Sequence, residues 1–256
     1  MSELFDLSGR HVLVTGGANG LGRMMAAALL DAGASVTITS RKDAESAAEE
    51  LSRHGPCTGV NVDLASPEGS AIAAAAVRAK TDRLHVLINN AGRTWGEAIE
   101  TYPDKAWTSL MAVNVQSPFN LVRELLPLLE AAGQANDPAR ILNVGSIAGN
   151  ITLRKSAFAY AASKAAIHHL TRELAAELAP RRIAANVIVP GWFPTNMSAP
   201  FRRDEEEARA VIGQIPLARF GEASDIGGVA VFLSSKASAY ITGAEIAVDG
   251  GLVGCR

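Results

Sequence analysis

Short apolar runs alternate with alanine-rich stretches along the whole chain, and this alternation constrains the fold more than any other feature. The runs include VLVT at 12–15 and VLIN at 86–89, which are apolar at nearly every position. Such a pattern is typical of strands buried on both faces, as in a parallel sheet with helices on either side. Because crossovers between parallel strands are right-handed, the sequence predicts an α/β protein with a doubly wound parallel sheet.

The alternation divides into seven strands and six helices within one domain, residues 1–256. We predict strands at His11–Thr15, Ser35–Ser40, Thr58–Asp63, Leu84–Asn89, Arg140–Ser146, Ile183–Pro190 and Glu245–Val248. The helices are predicted at Gly20–Ala32, Asp43–His54, Pro67–Thr81, Asp104–Ala132, Ala157–Leu178 and Ser224–Ser234. The charged segment 194–212 interrupts the pattern and predicts a lid with a helical stretch around DEEEARAVI.

Charge and composition argue against several classes of protein. The formal net charge is −2, so no global field attracts nucleic acid or an anionic membrane. No apolar run reaches the ~20 residues that span a bilayer, and the N-terminus lacks the features of a signal peptide. Cys57 and Cys255 offer neither a disulfide framework nor metal-ligand spacing. We expect a cytoplasmic protein with a small-molecule substrate and no metal.

A glycine-rich turn, TGGANGLG at 15–22, follows the first predicted strand. Glycines allow close backbone approach, and the helix that begins there presents free N–H groups to a diphosphate. The spacing differs from the general G-x-G-x-x-G motif, so a plain strand-to-helix turn is an alternative interpretation. The position after the first strand favours a dinucleotide site formed by Gly16, Asn19, Gly20, Leu21 and Gly22.

Basic residues end the second strand, where Ser40 is followed by Arg41 and Lys42. A cofactor with a free ribose 2′-hydroxyl favours Asp or Glu at this place, whereas a guanidinium suits a 2′-phosphate. The sequence therefore predicts NADPH rather than NADH. A solvated charge at a helix start is an equally good interpretation of Lys42.

Further candidates for the cofactor site follow the third and fourth strands. Asp63, followed by Leu64, is placed to accept a hydrogen bond from the adenine amino group, and Asn90, Ala91 and Gly92 follow the next strand. Ligands of open α/β sheets lie outside the carboxyl ends of the strands. We therefore expect these residues to face one crevice.

Tyr160 and Lys164 lie four residues apart in YAASK and share one face of a predicted helix. A nearby ammonium lowers the pKa of a tyrosine toward the range of a general acid, and Lys164 is also placed to hold the nicotinamide ribose. Ser146 ends the preceding strand, where it can hydrogen-bond a carbonyl. Asn114 is poorly suited to a helix interior, so we expect it to kink that helix and hold a water, with an exposed polar residue as the alternative.

These motifs resemble those of the short-chain dehydrogenase/reductase family over almost the full chain. The family's TGxxxGxG and NNAG match residues 15–22 and 89–92, and its catalytic tetrad matches Asn114, Ser146, Tyr160 and Lys164. The resemblance implies a single-domain Rossmann fold and hydride transfer at a carbonyl carbon. Its PGxxxT element implies that the nicotinamide meets four residues near the sixth strand, namely Pro190, Gly191, Phe193 and Thr195.

Finer features resemble the NADPH-dependent 3-oxoacyl reductases, in particular the rhamnolipid-associated type. They are Ser-Arg after the second strand, WGEAIETYP and PGWFPTNM, although Asn19 stands where those reductases often carry Arg or Lys. Candidates for the substrate pocket are Trp95, Trp192 and Met197, for which general packing is the alternative. An alcohol, polyol or sugar dehydrogenase working in the oxidative direction is the alternative enzyme, and a dinucleotide-binding sensor is the non-catalytic one.

The resemblance also bears on partners. It implies a homotetramer in which the predicted helices Asp104–Ala132 and Ala157–Leu178 pair across an interface. Arg181 falls where reductases of carrier-bound substrates present a basic residue, so acyl carrier protein is a candidate partner, although the insertion GQANDP alters the other contact region. His168 and His169 are interpreted as packing or interface residues, because adjacent helical positions face different ways.

Overall fold

A parallel sheet of seven strands forms the centre of the protein, with the strand order β3-β2-β1-β4-β5-β6-β7. The computed structural model describes residues 3–153, 156–199 and 204–255. The strands are β1 His11–Thr15, β2 Ser35–Ser40, β3 Cys57–Asn61, β4 Val86–Asn89, β5 Ala139–Val144, β6 Ile183–Pro190 and β7 Glu245–Val248. The order reverses between β1 and β4, as in a doubly wound sheet, so the predicted fold class is confirmed.

Helices cover both faces of the sheet. They are α1 Gly20–Asp31, α2 Ala44–Leu51, α3 Gly69–Arg78, α4 Asp104–Met111, α5 Ser117–Ala132, α6 Phe158–Leu178, α7 Glu205–Ile212 and α8 Ala223–Ser234. Along β1, Val12 and Val14 pack into the core under α1 and α8, while Leu13 packs into the core under α3, α5 and α6. Burial on both faces explains why the strand is apolar at consecutive positions.

The predicted helix Asp104–Ala132 is interrupted. A π-helical turn, Ala112–Gln116, separates α4 from α5 and contains Asn114. The wider turn places the Asn114 side chain inside the protein, where it is 2% exposed. The expected distortion of the helix at Asn114 is therefore confirmed, and the interpretation as an exposed polar residue is wrong.

Buried amides connect the sheet to α6. The Asn89 Nδ2 donates to Asn143 Oδ1 at 2.8 Å, and the Asn143 Nδ2 donates to Thr171 Oγ1 at 2.8 Å. Thr171 lies on α6 and donates in turn to the Ile167 carbonyl. A buried polar group without a partner is costly, so these bonds fix the position of α6 on β4 and β5.

The predicted lid contains the helical stretch that its sequence indicates. Helix α7 spans Glu205–Ile212, and the Asp204 carboxylate caps it by accepting from the Glu206 and Glu207 amides at 2.8 and 3.0 Å. Residues 200–203 of the lid lie outside the described residues. Among the helices of the described ranges, none is both long and apolar enough to cross a membrane.

Asp137 anchors the loop 133–138 by an ion pair that the sequence analysis did not foresee. Its carboxylate accepts from Arg10 Nη2 at 2.6 Å and from Arg140 Nη2 at 3.1 Å, and the Arg140 side chain is fully buried. Burial lowers the pKa of Arg140, and the nearby carboxylate of Asp137 opposes that shift. The sequence of this loop is typical of a surface segment. Its one carboxylate nevertheless neutralises the charge of two arginines, which lie at the end of the sheet opposite the glycine turn.

Asp137→Ala is expected to lower the free energy of unfolding by about 3 kcal/mol, because it leaves the Arg140 guanidinium buried without its counter-ion. Urea unfolding at a fixed protein concentration measures this change. Asp31→Ala is the control, since it removes the exposed partner of His54 and is expected to change stability little. Equal losses of stability in the two variants would contradict the assignment.

Candidate active site

A cleft of ≈ 950 Å³ lies at the carboxyl ends of the central strands. Residues that follow β1, β4, β5 and β6 contribute to its wall, and so does the first half of α6. The wall includes three residues of the expected tetrad, Ser146, Tyr160 and Lys164. It also includes the cofactor candidates Gly16, Asn19, Gly20, Leu21, Arg41, Asn90, Ala91, Gly92, Pro190, Gly191, Phe193 and Thr195.

The glycine turn leaves room for a diphosphate. Gly16 and Gly20 have φ of 64° and 54°, in the left-handed region that favours glycine. A Cβ on Gly22 would collide with the Gly16 carbonyl oxygen and the Asn90 side chain, so the third glycine permits the helix to start close to the sheet. Asn19 is extended, and its side chain caps none of the described N–H groups of α1. The N-terminus of α1 therefore offers free donors to an anion.

Thr15 and Asn90 hold this turn against the end of β4. The Thr15 Oγ1 accepts from the Asn90 and Ala91 amides, each at 2.9 Å. The Asn90 Nδ2 donates to the Thr15 carbonyl at 2.8 Å and to the Gly16 carbonyl at 3.1 Å. Asn90 therefore holds the glycine turn against the end of β4, and we call this its bracing role. Its position in the NNAG motif did not reveal this role.

The adenosine end of the cleft agrees with the predictions only in part. Among the described residues, the wall takes in the exposed Arg41 but leaves out Ser40, Lys42, Asp63 and Leu64. The Asp63 carboxylate accepts from the Ala65 amide at 3.0 Å, and its other oxygen lies 3.4 Å from an Arg93 nitrogen. The Leu64 side chain is buried, so its backbone is the part that remains for a ligand.

Three side chains of the predicted tetrad, Ser146, Tyr160 and Lys164, converge where α6 crosses the end of β5. The Lys164 Nζ donates to the Val144 carbonyl at 2.7 Å and lies 5.7 Å from the Tyr160 ring centroid. The Ser146 side chain lies close enough to the Tyr160 hydroxyl to lower the pKa of the phenol. The structure thus joins a strand end with a helical i, i+4 pair, as the sequence predicts.

Asn114 completes the group from the π-helical turn. Its Oδ1 accepts from the Arg93 amide at 2.9 Å, and its Nδ2 donates to the Arg93 carbonyl at 3.0 Å and to Ser163 Oγ at 2.9 Å. A Cβ built on Gly92 would lie 3.1 Å from Asn114 Oδ1 and 3.8 Å from Lys164 Nζ. The missing side chain at Gly92 therefore leaves a narrow space that both Asn114 and Lys164 border. The water that we expect there stays a prediction.

Burial is the largest cause of the pKa shifts of Tyr160 and Lys164. It raises the pKa of Tyr160, which the hydrogen bond with Ser146 lowers in part. It lowers the pKa of Lys164 to about 8. The expectation that Lys164 brings the pKa of Tyr160 below its ordinary value is wrong for this structure, because loss of hydration disfavours both charged forms. Lys164 is still mostly protonated at pH 7 and loses its charge as the pH rises through about 8.

The candidates for substrate contact separate into two groups. Trp192 and Met197 lie in the cleft wall as predicted. Trp95 does not: its ring is 39% exposed with the Lys105 ammonium 5.9 Å from the ring centroid, while the adjacent Thr94 and Gly96 line the cleft. Sequence reasoning also missed three apolar wall residues that flank the tetrad, Ile151, Leu153 and Phe158. Their proximity to Ser146 and Tyr160 in the sequence was the available signal.

The remaining predicted residues lie away from the cleft. His169 is exposed beside Glu173, whereas His168 is buried behind Ser146. Arg181 donates from Nε to Glu130 Oε1 at 2.5 Å, which partly neutralises the basic residue assigned to a carrier. Among the described side chains, no group of three or more His, Cys, Asp or Glu could hold a metal ion.

The geometry combines a glycine turn at a helix N-terminus with a Ser-Tyr-Lys cluster in one cleft, and the comparisons give the family of the chain. Residues 16–253 match the family model described as enoyl-(acyl carrier protein) reductase. The chain therefore belongs to this family, a branch of the short-chain dehydrogenases/reductases, and it is an NAD(P)-dependent oxidoreductase.

Individual relatives align over nearly their full length. The rhamnolipids biosynthesis 3-oxoacyl-[acyl-carrier-protein] reductase of Pseudomonas aeruginosa is 43% identical, with 98% of this chain and 99% of that protein aligned. A 2-dehydro-3-deoxy-D-gluconate 5-dehydrogenase of Bacillus subtilis is 35% identical, with 98% and 97% aligned. The solved RhlG/NADP active-site complex of Pseudomonas aeruginosa is 42% identical with a TM-score of 0.95, covering 98% of this chain and 99% of that one.

Arg41→Asp is expected to weaken NADPH binding about tenfold to a hundredfold, because it replaces a charge-assisted donor to the 2′-phosphate with a repelling carboxylate. NADH binding should change little or improve. Fluorescence titration of the two cofactors measures the ratio of their Kd values. Lys42→Asp is the matched control, with a smaller effect expected since Lys42 lies outside the cleft wall. An unchanged ratio in Arg41→Asp would contradict this role.

Proposed function

We propose that the protein is an NADPH-dependent ketoreductase that converts a 3-oxoacyl thioester, or a related ketone, to a secondary alcohol. The observation that carries the proposal is the apolar wall beside the tetrad. It consists of Ile151, Leu153, Phe158, Trp192 and Met197. An acyl chain buries its methylenes favourably against such a surface, at about 0.8 kcal/mol per CH₂.

The charges of the cleft support the same substrate class. Among the wall residues that the structure describes, Arg41 and Lys164 are the cationic ones. Arg41 is the candidate for the 2′-phosphate, and Lys164 is engaged beside Tyr160. A neutral ketone with an apolar chain needs no further cation, whereas the carboxylate of a sugar acid would favour one.

The cofactor fits the residues that surround the cleft. Gly16, Asn19 and Gly20 would hold the diphosphate at the N-terminus of α1, where Gly22 permits the close start of the helix, and Arg41 would hold the 2′-phosphate. Residues 190–195 would contact the nicotinamide, which when bound supplies the hydride for the carbonyl carbon. The NADP complex of the relative that is 42% identical supports this assignment.

Four residues of the chain would perform the proton chemistry. The Ser146 hydroxyl would orient the carbonyl and stabilise the negative charge that develops on its oxygen. Tyr160 would donate its phenolic proton to that oxygen, and its raised pKa keeps the proton in place until the charge develops. The Lys164 ammonium would stabilise the resulting phenolate by its positive charge. Asn114, which also borders the space at Gly92, would help Lys164 to return a proton to Tyr160.

A sugar-acid or polyol dehydrogenase remains the second candidate, and a specific observation favours it. Polar side chains also line the cleft, among them Thr94, Asn150, Thr152 and Asn196. They could bind the hydroxyl groups of such a substrate, and the relative from Bacillus subtilis bears a name of that class. The reaction would then run as oxidation of a secondary alcohol.

The two candidates are separated by measuring NADPH oxidation with a medium-chain 3-oxoacyl thioester and with 5-ketogluconate. We expect turnover of the thioester, and a decrease in kcat of about a hundredfold to ten-thousandfold in Tyr160→Phe, which removes the proton donor. Tyr240→Phe is the control, since Tyr240 is a fully exposed tyrosine outside the cleft wall. Turnover of the sugar acid alone would replace the proposal by the second candidate. Presenting the acyl group on acyl carrier protein tests that partner in the same assay.

We propose a homotetramer for the assembly, while the cytoplasmic location stays a prediction. The surface of α4 and α5 presents three exposed apolar side chains, Trp107, Met111 and Phe119, at 41%, 36% and 43% exposure. Clusters of exposed large apolar side chains are typical of interaction surfaces. The occupant that we propose is the same face of a second copy of the chain.

Phe119→Lys is expected to shift the protein from tetramer to a smaller species, because a charge on this face would be buried against its copy. Light scattering after size exclusion measures the mass. Ile72→Lys is the control, since Ile72 is an exposed apolar residue on α3 at 50% exposure. A wild-type monomer, or a variant that remains tetrameric, would contradict the proposed interface.

A further inference from the structure

The imidazole of His168 lies directly behind Ser146, in space that two glycines leave open. A Cβ on Gly145 would collide with the His168 Nε2, and a Cβ on Gly149 would lie 2.9 Å from its Cε1. The side chain is 3% exposed. Both glycines flank Ser146 in the chain, so the backbone around the catalytic serine is shaped to receive this ring.

Hydrogen bonds determine which nitrogen of the ring carries the proton. The Ser146 backbone amide points to His168 Nε2 at 3.3 Å, and a backbone N–H can only donate. Nε2 is therefore the acceptor, and the proton of the neutral ring lies on Nδ1. The Nδ1 is 3.2 Å from Glu245 Oε2, so it donates to that carboxylate.

The carboxylate is itself fixed from two sides. Glu245 accepts from Asn150 Nδ2 at 2.8 Å and from Arg172 Nη1 at 2.6 Å. Asn150 directly follows the turn Ile147–Gly149 that begins at Ser146. A chain of hydrogen bonds thus runs from Arg172 through Glu245 and His168 to the Ser146 amide.

We propose that His168 is a positioning residue for catalysis, holding the Ser146 backbone so that the serine hydroxyl faces Tyr160. The inference rests on the proposed function of Ser146. Fixing the amide limits rotation of the backbone at the end of β5 and hence the direction of the Cα–Cβ bond. A misplacement of a catalytic group by about 1 Å can cost about a hundredfold in rate.

The arrangement requires a neutral ring. Protonation would place a hydrogen on Nε2 against the Ser146 N–H and would break the contact. Burial lowers the pKa of His168 from its ordinary value, Glu245 on β7 raises it, and Lys164 and Arg172 on α6 lower it. The contact is therefore intact at neutral pH and is lost as the pH falls through the pKa of His168.

The test compares His168→Leu with His168→Gln, using the 3-oxoacyl thioester assay and NADPH titration. Leu removes the acceptor at similar volume, and we expect kcat to fall about tenfold or more while the Kd for NADPH stays within about twofold. Gln offers an amide oxygen and does not titrate. We expect it to restore most of kcat and to lose the decline at low pH that the wild type shows. His54→Leu is the control with unchanged kcat, because His54 pairs with the exposed Asp31 and lies outside the cleft wall.

A readout that needs no substrate separates this inference from the proposed function. The ¹⁵N shifts of the histidine ring in the wild-type protein are expected to show the Nδ1–H form at pH 7. An Nε2–H form, full activity of His168→Leu, or equal activities of His168→Leu and His168→Gln would overturn the positioning role. A wild type that fails to reduce the thioester would overturn the substrate proposal, and the ¹⁵N spectrum would still decide the hydrogen bond.

Discussion

The contact between helix α6 and the carboxyl end of strand β5 is the constraint on which the active site depends. Lys164 donates to the Val144 carbonyl, and Thr171 accepts from Asn143, so two buried polar bonds tie the helix to that strand. Because these groups would be costly to bury unpaired, the helix cannot slide or rotate without losing them. This fixed placement brings Tyr160 to Ser146, although the two residues come from different elements.

Burial then determines the chemistry of the joined groups. The same packing that orients Tyr160 and Lys164 buries the lysine and partly buries the tyrosine, which lowers the pKa of the ammonium and raises that of the phenol. The neutral tyrosine is suited to donate a proton to an oxygen that gains charge. On the cofactor side, the close approach permitted by Gly22 and the bracing by Asn90 keep the helix N-terminus next to the sheet. The proposed acid/base site and the proposed cofactor site therefore both depend on close packing of a helix against the end of a strand.

Much of this architecture could be predicted because local pattern and tertiary environment agree. Each of the seven predicted strands is present. The five central strands are buried on both faces, which requires continuous apolar runs, whereas the edge strands β3 and β7 are only partly buried. The features that the sequence did not reveal involve contacts between distant segments. The sequence gives no partner for the Asp63 carboxylate, but in the structure it lies near Arg93. Trp95 lies outside the cleft wall, although its neighbours Thr94 and Gly96 line it. Asp137 reads as a loop residue, yet it compensates Arg10, which is distant in the sequence, together with the nearby buried Arg140.

The sequence by itself determined the doubly wound sheet, the glycine turn, the spacing of Tyr160 and Lys164, and the family, because these features depend on periodicity and on short-range motifs. Only the tertiary structure decided the π-helical turn at Asn114, the bracing role of Asn90 and the apolar wall of the cleft. It also decided the direction of the pKa shift of Tyr160. The physical reason is that hydrogen-bond partners and loss of hydration depend on which distant residues meet, and spacing along one chain does not contain that information.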